Sequence, residues 1–480
     1  MFALPIALVL AAFAYLFPLD GIPEEGRRLA AVLAIVVTLW LSEAIPLAAT
    51  ALLGPALAVL VGVAPAAKAF GALANPIIPL FIGSFLLGHA TFKHRLNERI
   101  AYRVLSLEIL KNDPVRAFLF LGLTTAFLSA WISNTATVAM MLPIAQSVLL
   151  AMIPASAGKD VFPKGYAGGL MLLIAYAASL GGLFTPIGTP PNLIGIGLIE
   201  QSTGYKISFL EWVVKVLPIT FLSLLLMMLY MILRTRKEAR SLVYDRAQMA
   251  GRYRDLGPWT AGQKWTTAML FAAFSLWLFP PVVTLASPEL GKLIEKHLPE
   301  GIVPILASAP LFWFFAPAAS GNGKREAILN LTDLGTIDWA TILLFGGGMC
   351  LGDLMNQSGF ATAMGQAFAA YVPAGEGVTR IFAFSIFAIA VSECTSNTAS
   401  ANMVIPIVMA VSKELGGDPV MPALAATVAC TFGFMLPVST PTNAMAYATG
   451  YVSQREMIRY GIVLDVLGAA LLGLWFGFAV

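Results

Sequence analysis

The stretch SNTATVAMMLPI, residues 133–144, is closely copied by SNTASANMVIPI, residues 396–407. Each copy sets a Ser-Asn-Thr triplet and an apolar tail inside strongly hydrophobic sequence. What such triplets can do depends on the solvent around them. Of 480 residues, 58% are hydrophobic and 11% charged, with mean hydropathy +0.82; a soluble domain carries roughly 25% charged residues. The chain therefore reads as a polytopic membrane protein. Apolar runs at 2–18, 29–42, 47–63, 117–132, 207–233, 265–284, 301–317 and 460–480 each suit a helix crossing ~30 Å of hydrocarbon. Strands of about ten alternating residues are absent, which selects helices over a barrel.

The first run lacks a basic leader and a small-residue cleavage site before Asp20, so it is expected to be the first spanning helix and not a secretory signal. Cys350, Cys394 and Cys430 fall in apolar segments and are expected to be buried small hydrophobes without disulfides. Charge sets the orientation. The stretch 234–264 carries Arg234, Arg236, Lys237, Arg240, Arg246, Arg252, Arg254 and Lys264, and 93–116 is also rich in Lys and Arg. The positive-inside rule makes both cytoplasmic, and anionic lipid explains them more simply than nucleic acid does. Residues 285–300 show no positive excess and read as external. The N-terminus is then cytoplasmic and the C-terminus external. KHRLNERIAYRVL, from Lys93, has the spacing of an interfacial helix, and His89 and His94 sit at the same edge.

Two further landmarks repeat. TPIGTPPNLIG from Thr185 matches LPVSTPTNAMA from Leu436, and LFIGSFLLGHA from Leu80 more weakly matches LFGGGMCLGDL from Leu344. All three pairs keep the same order, so the chain is two structural repeats. Threading between the basic loops makes the first triplet's segment enter from the cytoplasm and the second's from outside. That is the inverted-repeat plan, with a site at the midplane. Each triplet lies between arms (117–132 and 138–153; 381–391 and 401–411) too short for two full spans, so each is expected at the tip of a re-entrant helical hairpin. The fold expected is all-α, with about eleven transmembrane helices plus the two hairpins.

At such a tip Ser, Asn and Thr are good N-caps, and capping alone is one reading. Unpaired backbone at membrane depth is tolerated only where it lines a cavity or is buried in protein, which favours a shared site. Amide oxygens, hydroxyls and carbonyls freed near Gly188, Pro190 and Pro441 are hard ligands for an alkali cation, whereas helix N-termini and Asn or Thr donors suit carboxylates. Residues 117–158, 165–199 and 419–454 hold no Lys, Arg, Asp or Glu. An anion would therefore have no arginine clamp there, and cations and helix dipoles would offset its charge. Glu393 is the one charge in 117–153 and 381–412; it reads either as a functional intramembrane carboxylate or as an acceptor of hydrogen bonds at the tip.

The paired triplets, with Thr189-Pro190-Pro191-Asn192 and Thr440-Pro441-Thr442-Asn443, resemble the divalent anion/sodium symporter family of sodium-coupled di- and tricarboxylate transporters over almost the whole chain. The resemblance implies a homodimer in lipid, with a scaffold part and a transport part that moves like an elevator. It places a first sodium site at Ser129, Ser133, Asn134 and Gly188, and a second at Ser392, Thr395, Asn397 and Ser439, for two or more co-transported Na+ ions. Substrate carboxylates would meet Asn134, Thr135, Asn397 and Thr398, near Thr189 and Thr440. Thr442 departs from the family's second proline. The segments expected are 1–69 and 265–337 as scaffold helices, 70–233 (hairpin 115–153) and 338–480 (hairpin 379–412) as transport parts, and 234–264 as a cytoplasmic linker. The substrate expected is a C4-dicarboxylate such as succinate, malate or fumarate. The rivals are a sodium-independent dicarboxylate or citrate/succinate antiporter, a carrier of sulfate, and a membrane-embedded enzyme; HExxH, a close metal cluster and a Ser-His or Cys-His pair near the repeats are all missing from the sequence.

Overall fold

The computed structural model describes residues 3–17, 21–152, 163–317, 325–369 and 377–478. The last residue of the expected hairpin 115–153 lies outside them. The first half runs α1 (Ala3–Leu16), α2 (Glu24–Ser42), α3 (Leu47–Leu60), α4 (Ala66–Ala69), α5 (Ile77–Lys93), α6 (Leu96–Leu105), α7 (Pro114–Ser129), α8 (Asn134–Ala151), α9 (Lys164–Gly181), α10 (Pro190–Thr203), α11 (Phe209–Ala239) and α12 (Arg246–Asp255). The second runs α13 (Ala261–Ala286), α14 (Pro288–His297), α15 (Val303–Ser308), the short strands β1 (Phe315–Pro317) and β2 (Arg325–Ala327), α16 (Trp339–Gln357), α17 (Phe360–Ala369), α18 (Val378–Cys394), α19 (Asn397–Glu414), α20 (Val420–Ala429), α21 (Pro441–Ala448) and α22 (Gln454–Gly477). From α5 to α11 and from α16 to α22 the succession is the same: a helix, a short helix, two hairpin arms, two half-helices and a long closing helix.

The run 301–317 is not the continuous helix its hydropathy suggests. Pro304 and Pro310 each remove an N–H, and the segment divides into α15, a 3-10 turn at Ala309–Phe312 and β1, which pairs antiparallel with β2. Among the described residues only Phe209–Ala239, Ala261–Thr284 and Gln454–Gly477 are long and apolar enough to cross a membrane unaided, and the other apolar helices are shorter. Helix length and composition alone therefore mark three spans among the described residues, against the eleven expected. Large apolar side chains stand exposed along α1 (Leu8, Phe13), α11 (Val214, Leu229), α13 (Phe271, Val282) and α22 (Ile462, Trp475), a perimeter fit for hydrocarbon.

The halves exchange partners. α5 packs on α15 and α13, whereas its counterpart α16 packs on α3 and α2. A separate apolar core joins Leu29, Val36, Trp40 and Ala51 to Leu344, Leu351 and Phe360. α7 and α9 meet so closely that a Cβ on Gly181 would stand 2.2 Å from the Ala126 carbonyl oxygen.

The basic linker is docked. Arg99, on the amphipathic α6, is 3% exposed; its Nη2 donates to the carbonyls of Leu256, Gly257 and Pro258, and its guanidinium lies over Tyr253 and Trp259. A second clip holds the end of α5. Asp333 accepts from Lys93 Nζ at 2.6 Å and the Asn330 N–H at 2.6 Å, and pairs with His89 Nε2 at 2.9 Å. Burial alone would raise the Asp333 carboxyl, but Lys93, the Asn330 N–H and His89 outweigh it and hold the group below the ordinary aspartate range. A carboxyl lowered by folding stabilises above its unfolded pKa and loses that contribution as pH falls through the folded value. Asp333→Asn is therefore expected to remove ~1–2 kcal/mol of stability at neutral pH and to flatten the acid limb of a thermal-melting profile below about pH 4; profiles parallel to wild type down to acid pH would show that the clip does not discriminate.

Candidate functional site

Each triplet divides its labour. Ser133 N-caps α8 by accepting from the Ala136 N–H at 3.4 Å, and Ser396 N-caps α19 by accepting from the Ala399 N–H at 3.2 Å. The serines satisfy the helix ends, so Asn134 and Asn397 are free to point elsewhere. Asn134 Oδ1 accepts from Ser129 Oγ at 2.7 Å, and its Nδ2 donates to Thr189 Oγ1 at 3.3 Å. Asn397 Oδ1 accepts from Ser392 Oγ at 2.9 Å. In both halves the last turn before the tip thus returns a serine to the triplet's asparagine, five residues on.

The second pair of landmarks forms the breaks between half-helices. α9 stops at Gly181 and α10 starts at Pro190; α20 stops at Ala429 and α21 starts at Pro441. Proline at N1 needs no N–H partner, and Thr189 and Thr440 hold the extended backbone that precedes it. Buried Asn192 closes the first break by donating to the carbonyls of Gly182 and Thr185 at 2.9 and 2.8 Å. Asn443 does the same for Gly433 and Leu436 at 2.8 and 3.1 Å. The tips bind the breaks too. Thr185 Oγ1 donates to the Ala130 carbonyl at 2.5 Å, whereas Glu393 accepts from the N–H groups of Met435 and Leu436 at 2.6 and 3.0 Å. Glu393 is therefore an acceptor that anchors the second break.

Oxygen atoms converge where tip meets break. A Cβ on Gly182 would lie 2.2 Å from Asn134 Oδ1, and one on Gly188 would lie 2.5 and 2.9 Å from the carbonyl oxygens of Gly182 and Ser129; glycine leaves that space open. In the second half Ser392 Oγ lies 2.5 Å from the Cys430 carbonyl as well as beside Asn397, and Ser439 Oγ lies 2.9 and 3.1 Å from the carbonyls of Ser392 and Gly433. Each hydroxyl has one proton for two acceptors. The cluster is short of donors and rich in buried oxygen, the condition a hard alkali cation satisfies. Among the described residues no group of three or more His, Cys, Asp and Glu is placed to hold a metal, so ligands here would be hydroxyl, amide and carbonyl oxygens.

The structure brings Ser129, Asn134, Gly188 and Thr189 together, and likewise Ser392, Asn397 and Ser439. Ser133 sits at the first tip as its cap. Thr395 turns away, its hydroxyl 3.5 Å from the Trp40 carbonyl. Thr135 is exposed and Thr398 half-buried, both one step from their asparagines. Thr440 lies 3.3 Å from the Thr442 hydroxyl, which also approaches Ser179 at 3.5 Å, so the residue replacing the family's proline adds a hydroxyl between the two halves. Sequence reasoning missed the clamping by Asn192 and Asn443, although both sat in the quoted motif, and missed Gly182 and Gly433 altogether. Cys394, expected to be buried, is exposed at the second tip, whereas Cys350 and Cys430 are buried; all three are free.

The breaks cross between halves: α21 packs on α8 and α9, α10 packs on α19 and α20, and Tyr176 donates to the Phe434 carbonyl at 2.8 Å. Beside the first tip a cavity of about 230 Å³ is lined by Ser84, His89, Trp131, Ser133, Ala136 and Ile187. On the equivalent face of the second hairpin the Asn402 amide fills the notch that Gly348 leaves.

A helical membrane transporter of two repeated halves is the class of protein that this architecture and these paired oxygen clusters define. The chain belongs to the family whose model is described as the sodium:sulfate symporter transmembrane region, which matches residues 1–479 and is the divalent anion/sodium symporter family that its motifs resemble. It is 31% identical over 470 residues to an uncharacterized transporter of Haemophilus influenzae, covering 96% of this chain and 94% of that one. It is 29% identical over 477 residues to the sodium-dependent dicarboxylate transporter SdcS of Staphylococcus saprophyticus (96% and 87% covered), and 29% identical over 479 residues to that of Staphylococcus aureus (97% and 89%). In fold it is similar to the YdaH transporter of Alcanivorax borkumensis, with a TM-score of 0.50 at 14% identity over 85% of this chain and 86% of that one. The family is one of symporters and not of enzymes.

Removing one clamp tests the construction of the site. Asn443→Ala leaves the Gly433 and Leu436 carbonyls without their donors, at about 1–3 kcal/mol for each buried group. The detergent-solubilised protein is expected to melt several degrees lower and to lose most of any stabilisation by Na+; an unchanged melt with full Na+ response would show that the break holds without it.

Proposed function

We propose that this chain is a sodium-coupled symporter of C4-dicarboxylates such as succinate, malate and fumarate. The observation that carries the reading is the surplus of buried oxygen acceptors over protons at Ser392, Asn397 and Ser439, echoed at Ser129, Asn134 and Gly188. Na+ ions held there, two or more per cycle, supply positive charge where 117–158, 165–199 and 419–454 have no basic side chain. The substrate carboxylates then rest against Asn134, Thr135, Asn397 and Thr398, with Thr189 and Thr440 beside them. The names of the staphylococcal relatives support dicarboxylate as the cargo.

The two halves are inverted, with the basic segments 93–116 and 234–264 and the N-terminus in the cytoplasm and the C-terminus outside. The cavity at the first tip and the Asn402 amide packed against Gly348 at the second support a state facing the cytoplasm. The moving part of an elevator-like cycle is the two hairpins with the broken helices and α11 and α22; the apolar core that α16 and α17 share with α2 and α3 supports counting those two helices with the static part, which would place the second-half boundary at the end of α17 and not at 338. The protein works as a homodimer in the cell membrane. The family's description gives sulfate as a second cargo to test.

Uptake of labelled succinate, citrate and sulfate into proteoliposomes, with and without an inward Na+ gradient, decides among these. Succinate uptake that collapses without Na+ is the expected result; sodium-independent uptake stimulated by internal succinate would establish exchange instead. Asn134→Ala and Asn397→Ala are each expected to reduce uptake to background, more than ~100-fold, in protein that still elutes as a folded species. Normal uptake by either mutant would reduce its triplet to a helix cap.

A further inference from the structure

A second cavity lies at the far end of the second hairpin. It measures about 180 Å³, lies among α10, α16, α17 and α19, and is lined by Ser202, Asn356, Thr362, Pro406, Lys413 and Glu414, among others. Along α19, Thr398, Asn402, Pro406, Met409 and Lys413 recur every three or four residues and so share one face. That face begins beside Asn397 and ends in the cavity. Between the two stands Asn402, which is 6% exposed. Its Nδ2 donates to the Thr398 carbonyl at 3.0 Å, and its Oδ1, buried against Gly348, has no partner among the described residues. Pro406, lacking an N–H, also leaves the Asn402 carbonyl without its helical donor. One face of α19 thus runs from the triplet to the cavity, with the Asn402 amide between them.

Lys413 is the first basic side chain along this hairpin beyond the triplet. Its ammonium donates to the Ser202 carbonyl at 3.1 Å and makes no ion pair among the described residues, and Asn356 Nδ2 donates to Ser202 Oγ at 3.2 Å. A fixed cation set among hydroxyl and amide groups at the mouth of a polar cavity is matched to a small carboxylate. Glu414, on the same wall, opposes it.

We propose that this cavity is an outer antechamber for the dicarboxylate, in which Lys413 receives the anion on the external side before Asn402 gives way. The proposal rests on the symport reading above and adds a binding step that the sodium sites do not provide. A single charge at a cavity mouth raises the encounter rate, and salt weakens its effect.

The test is the KM for succinate in whole cells, where substrate arrives from outside, and in inverted vesicles, at low and high choline chloride and fixed Na+. Lys413→Gln is expected to raise the whole-cell KM about three- to tenfold at low salt, leave the maximal rate unchanged, converge on wild type at high salt and leave the inverted-vesicle KM unaltered. Lys413→Arg should restore the wild-type KM, and Glu414→Gln should lower it. An unchanged whole-cell KM for Lys413→Gln, or a rise confined to inverted vesicles, overturns the antechamber. So does a loss of maximal rate equal to the rise in KM. Failure of the wild-type chain to take up succinate at all would overturn the symport reading itself, which separates the two failures.

Discussion

The structure depends on how a chain can interrupt helices in an apolar interior without leaving peptide groups stranded. Each unpaired carbonyl there costs several kcal/mol, so a break is possible only if other groups reach it. Asn192 and Asn443 each span the gap by donating to two carbonyls seven residues or more upstream. Ser133 and Ser396 serve the opposite need, accepting from helix N–H groups at the tips. Once donors are spent on the outer carbonyls and acceptors on the outer N–H groups, the oxygens left over face inward together, so the cluster is a by-product of closing the backbone.

This explains why so much was legible in the sequence. The triplets and the TP-type breaks are the residues that a buried interruption demands, and their duplication in one order fixed the two halves. The short arms implied hairpins, and α7, α8, α18 and α19 follow them. The remainder was hidden for physical reasons. Hydropathy does not register the prolines that divide 301–317. Arg99 counts as a topology charge in sequence, yet its guanidinium is folded inward onto three carbonyls and two aromatic rings. The serines at 129 and 392 lie inside helices, so the family resemblance and not residue spacing set them beside the asparagines, to which both donate. Cys394 is apolar by neighbourhood but caps no packing, because the chain reverses direction beside it.

The halves are alike in plan and unlike in detail, and the differences fall where charge matters. Thr185 ties the first tip to its break with a hydroxyl, whereas the second uses the carboxylate of Glu393. The first half has Pro191, and the second has Thr442 with a hydroxyl directed at Thr440 and Ser179. Gly188 leaves carbonyls bare where Ser439 supplies an oxygen of its own. Equal backbones therefore present different oxygens, one cluster richer in main-chain carbonyls and the other in hydroxyls, and on the symport reading proposed above they would not hold Na+ equally tightly.

The exchange of packing between halves joins these sites mechanically. α10 rests on α19 and α20 while α21 rests on α8 and α9, so each break is packed against the hairpin of the other half. On the symport reading proposed above, a cation that stiffens one tip would also press on the half-helix of its counterpart, and the Ser179 and Thr442 hydroxyls, 3.5 Å apart, stand on the seam between them. On that reading, binding at one cluster would reduce the ordering still required at the other, which is cooperativity without a new contact. An anion that needs both clusters filled before its charge is balanced would then be bound only by a fully loaded interior, and coupling would follow from the order in which the backbone becomes rigid.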